Sequence, residues 1–137
     1  MVNSRSLSDL NPKVAALCSE FINSCKKQNI DIIITSTYRD ADSQNALYAQ
    51  GRTLPGKKVT NAKAGQSFHN WKVAFDFCPI VNGKAVWNDV ALYTKCGEIA
   101  ESIGLEWAGR WTTFKELAHC QYTNGLTLAD FQAGKTL

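Results

Sequence analysis

An apolar stripe follows the Asn11-Pro12 pair and indicates a long amphipathic helix near the start of the chain. Its members recur at helical spacing: Val14, Leu17, Cys18, Phe21, Ile22 and Cys25. Asn favours the capping position and Pro fits the first helical position. The pattern therefore predicts a helix over about residues 12–28, with one continuous buried face.

Short apolar segments and further helical patterns alternate along the rest of the chain. A helix capped by Asp40 is predicted over about 41–50, and a second over about 89–102 ends before Gly104. Thr127 opens a capping box and a short last helix. Strands are predicted at 30–35, 73–78, 105–108 and 118–122. The first of them is short, apolar and β-branched, which predicts a buried strand. Two non-repetitive segments complete the pattern: a turn at Asn82-Gly83 and a long polar loop over 52–66.

This order of elements predicts an α+β fold with a small, mainly antiparallel sheet flanked by helices, because the connections form no regular βαβ series. The chain has 137 residues, the size of one ordinary domain. Its hydrophobic share of 45% supplies a core, and its charged share of 20% argues against disorder. We expect a single domain over residues 1–137.

Composition also argues against several classes of partner. The net charge of +3 comes from scattered basic residues, and there is no zinc-finger spacing or RNA-binding motif, so we expect no nucleic acid partner. No apolar run is long enough to span a membrane, and the polar residues 1–11 lack the core of a signal peptide. The five cysteines have no CxxC spacing and are expected to be buried, reduced thiols.

The chain contains only two histidines, and each has a carboxylate close by in sequence. His69 precedes Asp76, and His119 follows Glu116. Catalytic zinc takes three protein ligands of the His or carboxylate type, so His69, Asp76 and His119 are a candidate set, with Glu116 as the base. On one extended strand His69 and Asp76 would face opposite ways, so the segment 70–72 must turn or bulge. Taken alone, each of these residues also fits a structural role.

Three motifs together resemble the zinc D,D-peptidase and L,D-peptidase superfamily, which has the Hedgehog/DD-peptidase fold. The run from Ser67 to Asp76 is similar to its metal-binding motif SxHxxGxAxD. Residues 107–121 are similar to the second motif of the endopeptidase branch, in which Trp-Gly-Gly leads to an acidic residue and then His. Upstream, the arginine motif is matched by Thr37-Tyr38-Arg39, Gln44, Leu47, Tyr48 and Gly51. The likeness covers about residues 10–135 and fits phage and bacterial L-alanyl-D-glutamate endopeptidases best.

The resemblance implies a role for each matching residue. One Zn²⁺ per chain would be held by His69, Asp76 and His119. Glu116 would take a proton from the attacking water and pass it to the leaving amine. Arg39 would bind a substrate carboxylate or stabilise developing negative charge. Further substrate contacts are expected from Ser67, Gln44, Trp107 and Trp111. Core packing is the default expectation for each of the four tryptophans, which include Trp71 and Trp87, but Trp107 and Trp111 flank the second motif and could line the cleft.

Some positions depart from the superfamily pattern. Lys72 stands where the motif usually has Gly, and a positive φ there would cost about 1 kcal/mol or more. The Lys72 charge would also oppose a nearby metal ion. Ala108 and Ala118 replace a common Gly and Pro, and both look tolerable. Glu116 stands where Asp is frequent, which moves the carboxylate by one methylene.

The function implied is that of a zinc peptidase acting on the peptidoglycan stem peptide, with cleavage between L-Ala and D-Glu. We expect a monomeric phage-type endolysin without a separate cell-wall-binding domain or a membrane partner, kept in the host cytoplasm until a holin releases it. Three alternatives stay open: a D-Ala-D-Ala carboxypeptidase or dipeptidase, a weakened zinc-binding or wall-binding module, and a Cys-His hydrolase that uses Cys120 or Cys78.

Overall fold

Four α-helices and five β-strands make up the fold in a computed structural model that describes residues 1–137. The helices are α1 (Pro12–Lys27), α2 (Ala41–Ala49), α3 (Val90–Ser102) and α4 (Leu128–Gln132). The strands are β1 (Asp31–Ser36), β2 (Ala74–Val81), β3 (Lys84–Ala85), β4 (Glu106–Trp107) and β5 (His119–Gln121). Short 3₁₀ turns occupy Leu7–Asp9, Phe68–Trp71 and Ala108–Arg110.

The strands form one sheet in the order β1-β2-β5-β4, with β3 paired to β2. Every strand pair is antiparallel, so the expected α+β class is confirmed. The caps predicted at Asn11, Asp40 and Thr127 each accept a hydrogen bond from a backbone N–H of their helix. The buried strand predicted at 30–35 is instead an edge strand with Ile33 41% exposed, because β1 pairs only with β2.

One hydrophobic core lies between the sheet and helices α1 and α3. Phe21 of α1 packs against Phe75 and Phe77 of β2, with ring centroids 5.8 and 5.0 Å apart. Phe75 and Phe77 alternate with Asp76 along the strand, so Asp76 points to the face opposite this core. The sheet thus separates a packed apolar side from a side that presents polar groups.

Four of the five cysteines belong to the apolar side. Cys18, Cys25, Cys96 and Cys120 lie within the core cluster, and all five cysteines are buried and unpaired. Burial raises the pKa of Cys18 to about 12, so this thiol stays neutral. The prediction of buried cysteines is confirmed, and their reduced state stays a prediction. None of the helices combines the length and apolarity that a membrane crossing requires.

Candidate active site

A 3₁₀ turn brings His69 back toward β2. Ser67 caps this turn at its start, where its Oγ accepts a hydrogen bond from the His69 N–H at 3.3 Å. Lys72 ends the turn in the left-handed region, with φ 64°. The predicted turn between His69 and Asp76 is therefore present, and it lets both side chains reach one point.

The strand register places the other two candidate ligands together. Asp76 of β2 pairs directly with His119 of β5, and directly opposed residues in an antiparallel pair share a face of the sheet. Asp76 Oδ1 lies 3.1 Å from His69 Nε2 and 3.4 Å from His119 Nδ1. One donor atom from each of the three residues lies within 4.8 Å of the others, which is the spacing of a shared metal site.

The other nitrogen of each imidazole is held by a protein acceptor. His69 Nδ1 donates to the Thr37 carbonyl oxygen at 2.8 Å, and His119 Nε2 donates to Gln121 Oε1 at 2.8 Å. These bonds leave the lone pairs of His69 Nε2 and His119 Nδ1 directed at the Asp76 carboxylate. Neither supporting role was predicted from the sequence, although Gln121 lies two residues after His119 on the same strand and so shares its face.

This convergence of lone pairs fits a bound cation. His119 Nδ1 is buried and has no hydrogen-bond partner, which is costly unless a proton or metal ion lies there. Burial raises the pKa of Asp76, but the charges that His69 and His119 carry when protonated outweigh it and hold that pKa well below its usual range. An anionic carboxylate and two oriented imidazoles are donors that zinc accepts in catalytic sites.

Glu116 lies beside this cluster. Its Oε2 is 3.6 Å from His119 Nδ1, and its side chain is 58% exposed. The Glu116 N–H donates to the Ala108 carbonyl oxygen at 3.2 Å, which anchors the loop before β5. A carboxylate that is open to solvent and close to the ligand set has the position that a general base requires.

Arg39 is fixed against the same turn. Its Nη1 donates to Gln44 Oε1 at 2.9 Å, and its backbone N–H donates to the His69 carbonyl oxygen at 3.2 Å. Burial lowers the pKa of Arg39 while Asp76 and Glu116 raise it, and the net direction is downward. A guanidinium is not deprotonated in proteins, so Arg39 stays charged.

One cleft of about 1160 Å³ opens over these residues. Of the residues predicted for the site, those that line it are Arg39, Ser67, His69, Asp76, Trp111, Glu116 and His119. Gln44 and Trp107 do not line it, which corrects the expectation that they contact substrate. Gln44 is fully buried and joins Arg39 to the Ala62 carbonyl oxygen. Trp107 is 3% exposed and donates from Nε1 to the Leu117 carbonyl oxygen.

Comparison with known proteins identifies the family. Residues 7–123 match the VanY family, described as D-alanyl-D-alanine carboxypeptidase. The chain belongs to this family. It is 35% identical over 129 residues to the peptidoglycan L-alanyl-D-glutamate endopeptidase CwlK of Bacillus subtilis, covering 83% of this chain and 74% of that protein.

Solved structures share the fold of this VanY-family chain. The L-Ala D-Glu endopeptidase ChiX of Serratia marcescens superposes with a TM-score of 0.68 at 18% identity, covering 95% of this chain and 92% of that one. A vancomycin resistance D,D-pentapeptidase VanY in complex with Zn(II) superposes with a TM-score of 0.62 at 14% identity, covering 90% and 83%. The recognised superfamily and its fold are confirmed, and the chain is a peptidase.

Lys72 keeps its charge out of the cleft of this VanY-family chain. The Lys72 ammonium lies 4.9 Å from the centroid of the Tyr38 ring, and Lys72 is not among the residues that line the cleft. The positive φ considered from the sequence is present at 64°. The lysine at this position therefore strains the backbone of the turn, while its ammonium is held by an aromatic ring.

The Cys-His alternative finds no geometry in its favour. Cys120 is fully buried in the core, on the side of the sheet away from His119, and burial raises its pKa well above the ordinary value. Cys78 is buried as well, and no cysteine lines the cleft. A nucleophilic thiol needs exposure and a lowered pKa, so neither cysteine fits that role.

Trp87 departs from the expectation of core packing. Its side chain is 53% exposed and borders the cleft. Trp71, by contrast, stacks on Phe131 with centroids 6.3 Å apart and donates from Nε1 to the Gly65 carbonyl oxygen. Of the four tryptophans, Trp87 and Trp111 face the cleft, and Trp71 and Trp107 support it.

Proposed function

We propose that the protein is a zinc-dependent endopeptidase that cuts the peptidoglycan stem peptide between L-Ala and D-Glu. The observation that carries this proposal is the set His69, Asp76 and His119, in which both imidazoles direct a free lone pair at one carboxylate beside Glu116. The activity named for the Bacillus subtilis relative supports the choice of bond.

The donor set fits zinc, with His69 Nε2, Asp76 Oδ1 and His119 Nδ1 as ligand atoms. When bound, zinc supplies a Lewis acid that polarises the scissile carbonyl and makes water a stronger nucleophile. Glu116 takes a proton from the attacking water and returns it to the leaving amine. Arg39 binds a carboxylate of the stem peptide or the developing negative charge, and Ser67 lies at the cleft wall within reach of the substrate.

The direct test is digestion of purified murein sacculi, followed by mass spectrometry of the fragments. We expect fragments with a new D-Glu amino terminus, loss of activity with a chelator, and recovery when zinc is added. Activity that survives complete removal of zinc would contradict the zinc mechanism, whereas fragments without a new D-Glu terminus would contradict the proposed bond.

Glu116→Gln tests the general base. The amide cannot accept the proton, so we expect activity to fall about 10²–10⁴-fold while zinc stoichiometry, measured by metal analysis, stays at one per chain. Glu20→Gln removes a carboxylate from the exposed face of α1 and serves as the matched control, with unchanged activity. If Glu116→Gln retains full activity, Glu116 is not the base.

A second candidate is a D-Ala-D-Ala carboxypeptidase, favoured by the family match over residues 7–123. Arg39 at the cleft wall is suited to hold the free carboxylate that such a substrate presents. The same digestion separates the two activities, because a carboxypeptidase releases free D-Ala. Stoichiometric zinc or wall binding without any turnover would instead favour a weakened binding module.

The biological role that we propose is wall lysis by a monomeric endolysin, held in the host cytoplasm until a holin opens the membrane. A net charge of +3 suits an enzyme that approaches anionic wall polymers. Bacteria that express the protein together with a holin should lyse, as followed by culture turbidity, and bacteria that express Glu116→Gln with the same holin should not. Lysis by both proteins would show that the peptidase activity is not responsible.

A further inference from the structure

A second, smaller cavity borders the catalytic cleft. It is formed by five consecutive residues, Arg110 to Phe114, and has a volume of about 440 Å³. It shares Trp111 and Phe114 with the cleft, so a substrate can extend from one into the other. It is an open depression on the surface, lined by a single segment of the chain.

Phe114 has a conformation and an exposure that folding does not explain. The side chain is 71% exposed, and its backbone lies in the left-handed region with φ 52°. That region is unfavourable for a bulky aromatic residue, and an exposed ring recovers little of the cost through burial. Strained residues of this kind occur preferentially at ligand sites, which indicates that the ring is held out to meet a ligand.

The chemistry of the segment matches a sugar ring. A pyranose has an apolar C–H face and a rim of hydroxyl groups, which require a flat apolar surface and polar partners respectively. Trp111 and Phe114 supply aromatic surface, and Thr112 and Thr113 supply hydroxyls that both donate and accept hydrogen bonds. Arg110 is fixed by Glu101, with Nη2 and Nε each 3.1 Å from a carboxylate oxygen.

The position of the cavity also agrees with where a sugar would lie. In peptidoglycan the L-Ala residue is joined to the lactyl group of N-acetylmuramic acid, and that group connects it to the sugar ring. One residue spans about 3.5 Å, so a lactyl group of similar length places the sugar about 7 Å from the scissile carbonyl. The Trp111 ring centroid is 5.6 Å from that of His119, which puts the start of the cavity at this range from the proposed metal ligands.

We propose that residues 110–114 form a subsite for the N-acetylmuramic acid ring that carries the stem peptide. This inference rests on the endopeptidase function proposed above, because that bond alone places the sugar next to the cleft. The subsite makes the enzyme prefer stems that are still attached to glycan over free stem peptides.

Direct binding tests the subsite without any turnover. Titration of wild-type protein with N-acetylmuramoyl-L-alanine, followed by tryptophan fluorescence, should show saturable binding at least about 3-fold tighter than that of N-acetyl-L-alanine. Phe114→Ala should reduce this preference about 3- to 10-fold, as expected for one aromatic contact, and Phe114→Tyr should retain it. Val90→Ala, at an exposed apolar position that lines neither cavity, is the control and should keep the wild-type preference.

Kinetics on two substrates separate this inference from the proposed function. With a muramoyl-tripeptide and the same free tripeptide, the subsite predicts a lower KM for the muramoyl substrate and loss of that difference in Phe114→Ala. Cleavage of both substrates with equal KM would overturn the subsite and leave the endopeptidase function standing. Cleavage of neither would overturn the function, and equal binding of the two alanine ligands would overturn the subsite by itself.

Discussion

Two histidines that use different ring nitrogens are the central residue-scale feature of this site. His69 directs Nε2 inward because its Nδ1 donates to a backbone carbonyl oxygen, and His119 directs Nδ1 inward because its Nε2 donates to Gln121. Neither choice follows from the residue type, since both tautomers of imidazole are accessible. The partner of the outer nitrogen decides which atom can serve as a ligand.

Gln121 is therefore predicted to control metal affinity without touching the metal. Gln121→Leu removes the acceptor for His119 Nε2, so we expect zinc to bind about 10–100-fold more weakly, measured by competition with a chromogenic chelator. Gln121→Glu keeps an acceptor at the same distance along the side chain and should retain near wild-type affinity. Equal affinities of the Leu and Glu variants would show that the hydrogen bond does not matter, and circular dichroism checks that both variants fold.

The sequence identifies the residues of the candidate site more readily than the residues that hold them in place. His69, Asp76, Glu116 and His119 stand in spaced motifs, so pattern alone groups them. Thr37 contributes a backbone oxygen, which no side-chain pattern encodes. Trp107 looks like a cleft residue by position, yet its indole packs over two glycines of neighbouring segments, Gly97 and Gly109, where an added Cβ would lie within 2.5 Å of the ring.

At the scale of elements, the 3₁₀ turn Phe68–Trp71 is what makes the metal ligands converge. Ser67 caps the start of this turn, and Lys72 ends it with a left-handed backbone conformation. The sequence predicts a turn here because His69 and Asp76 would otherwise face opposite ways. The edge position of β1 could not be predicted from the sequence, because an apolar β-branched segment has the same composition in a central strand and in an edge strand.

Lys72→Gly is predicted to stabilise the fold. Relief of the left-handed conformation at φ 64° contributes about 1–2 kcal/mol, and loss of the exposed ammonium contact with Tyr38 costs about 0.5 kcal/mol. Glycine's greater freedom in the unfolded chain offsets a further part, about 0.5–1 kcal/mol, so we expect a net gain of up to about 1 kcal/mol in the free energy of unfolding, measured in urea.

Lys72→Ala is the matched control for this substitution. Alanine loses the ammonium but keeps the strained backbone, so it should be no more stable than wild type. Activity on murein should be retained in both variants, because Lys72 does not line the cleft. A gain in stability for Lys72→Ala equal to that for Lys72→Gly would mean that charge, and not backbone strain, is the cost of lysine at this position.

At the scale of the whole molecule, the three proposed ligands join two parts of the chain that are far apart in sequence, with His69 and Asp76 in one and His119 in the other. His69 comes from the 3₁₀ turn, Asp76 from β2 and His119 from β5. The core on the other face of the sheet is continuous without them, since α1 and α3 pack there against β2. The fold is thus expected to form without metal, with the ligand face as its least stable part, because that face holds an unpartnered buried nitrogen at His119.

Zinc is accordingly predicted to stabilise a chain that is already folded. Binding to the native state alone adds about 2.7 kcal/mol when free zinc is 100 times the dissociation constant, which corresponds to a rise in Tm of about 5–15 °C for a domain of this size. Differential scanning calorimetry of chelated and zinc-loaded protein measures the shift. His119→Ala should fold, as judged by circular dichroism, and should lose most of the zinc-dependent shift, because one of three ligands is gone. An unfolded apo-protein would show instead that the metal is required to form the sheet.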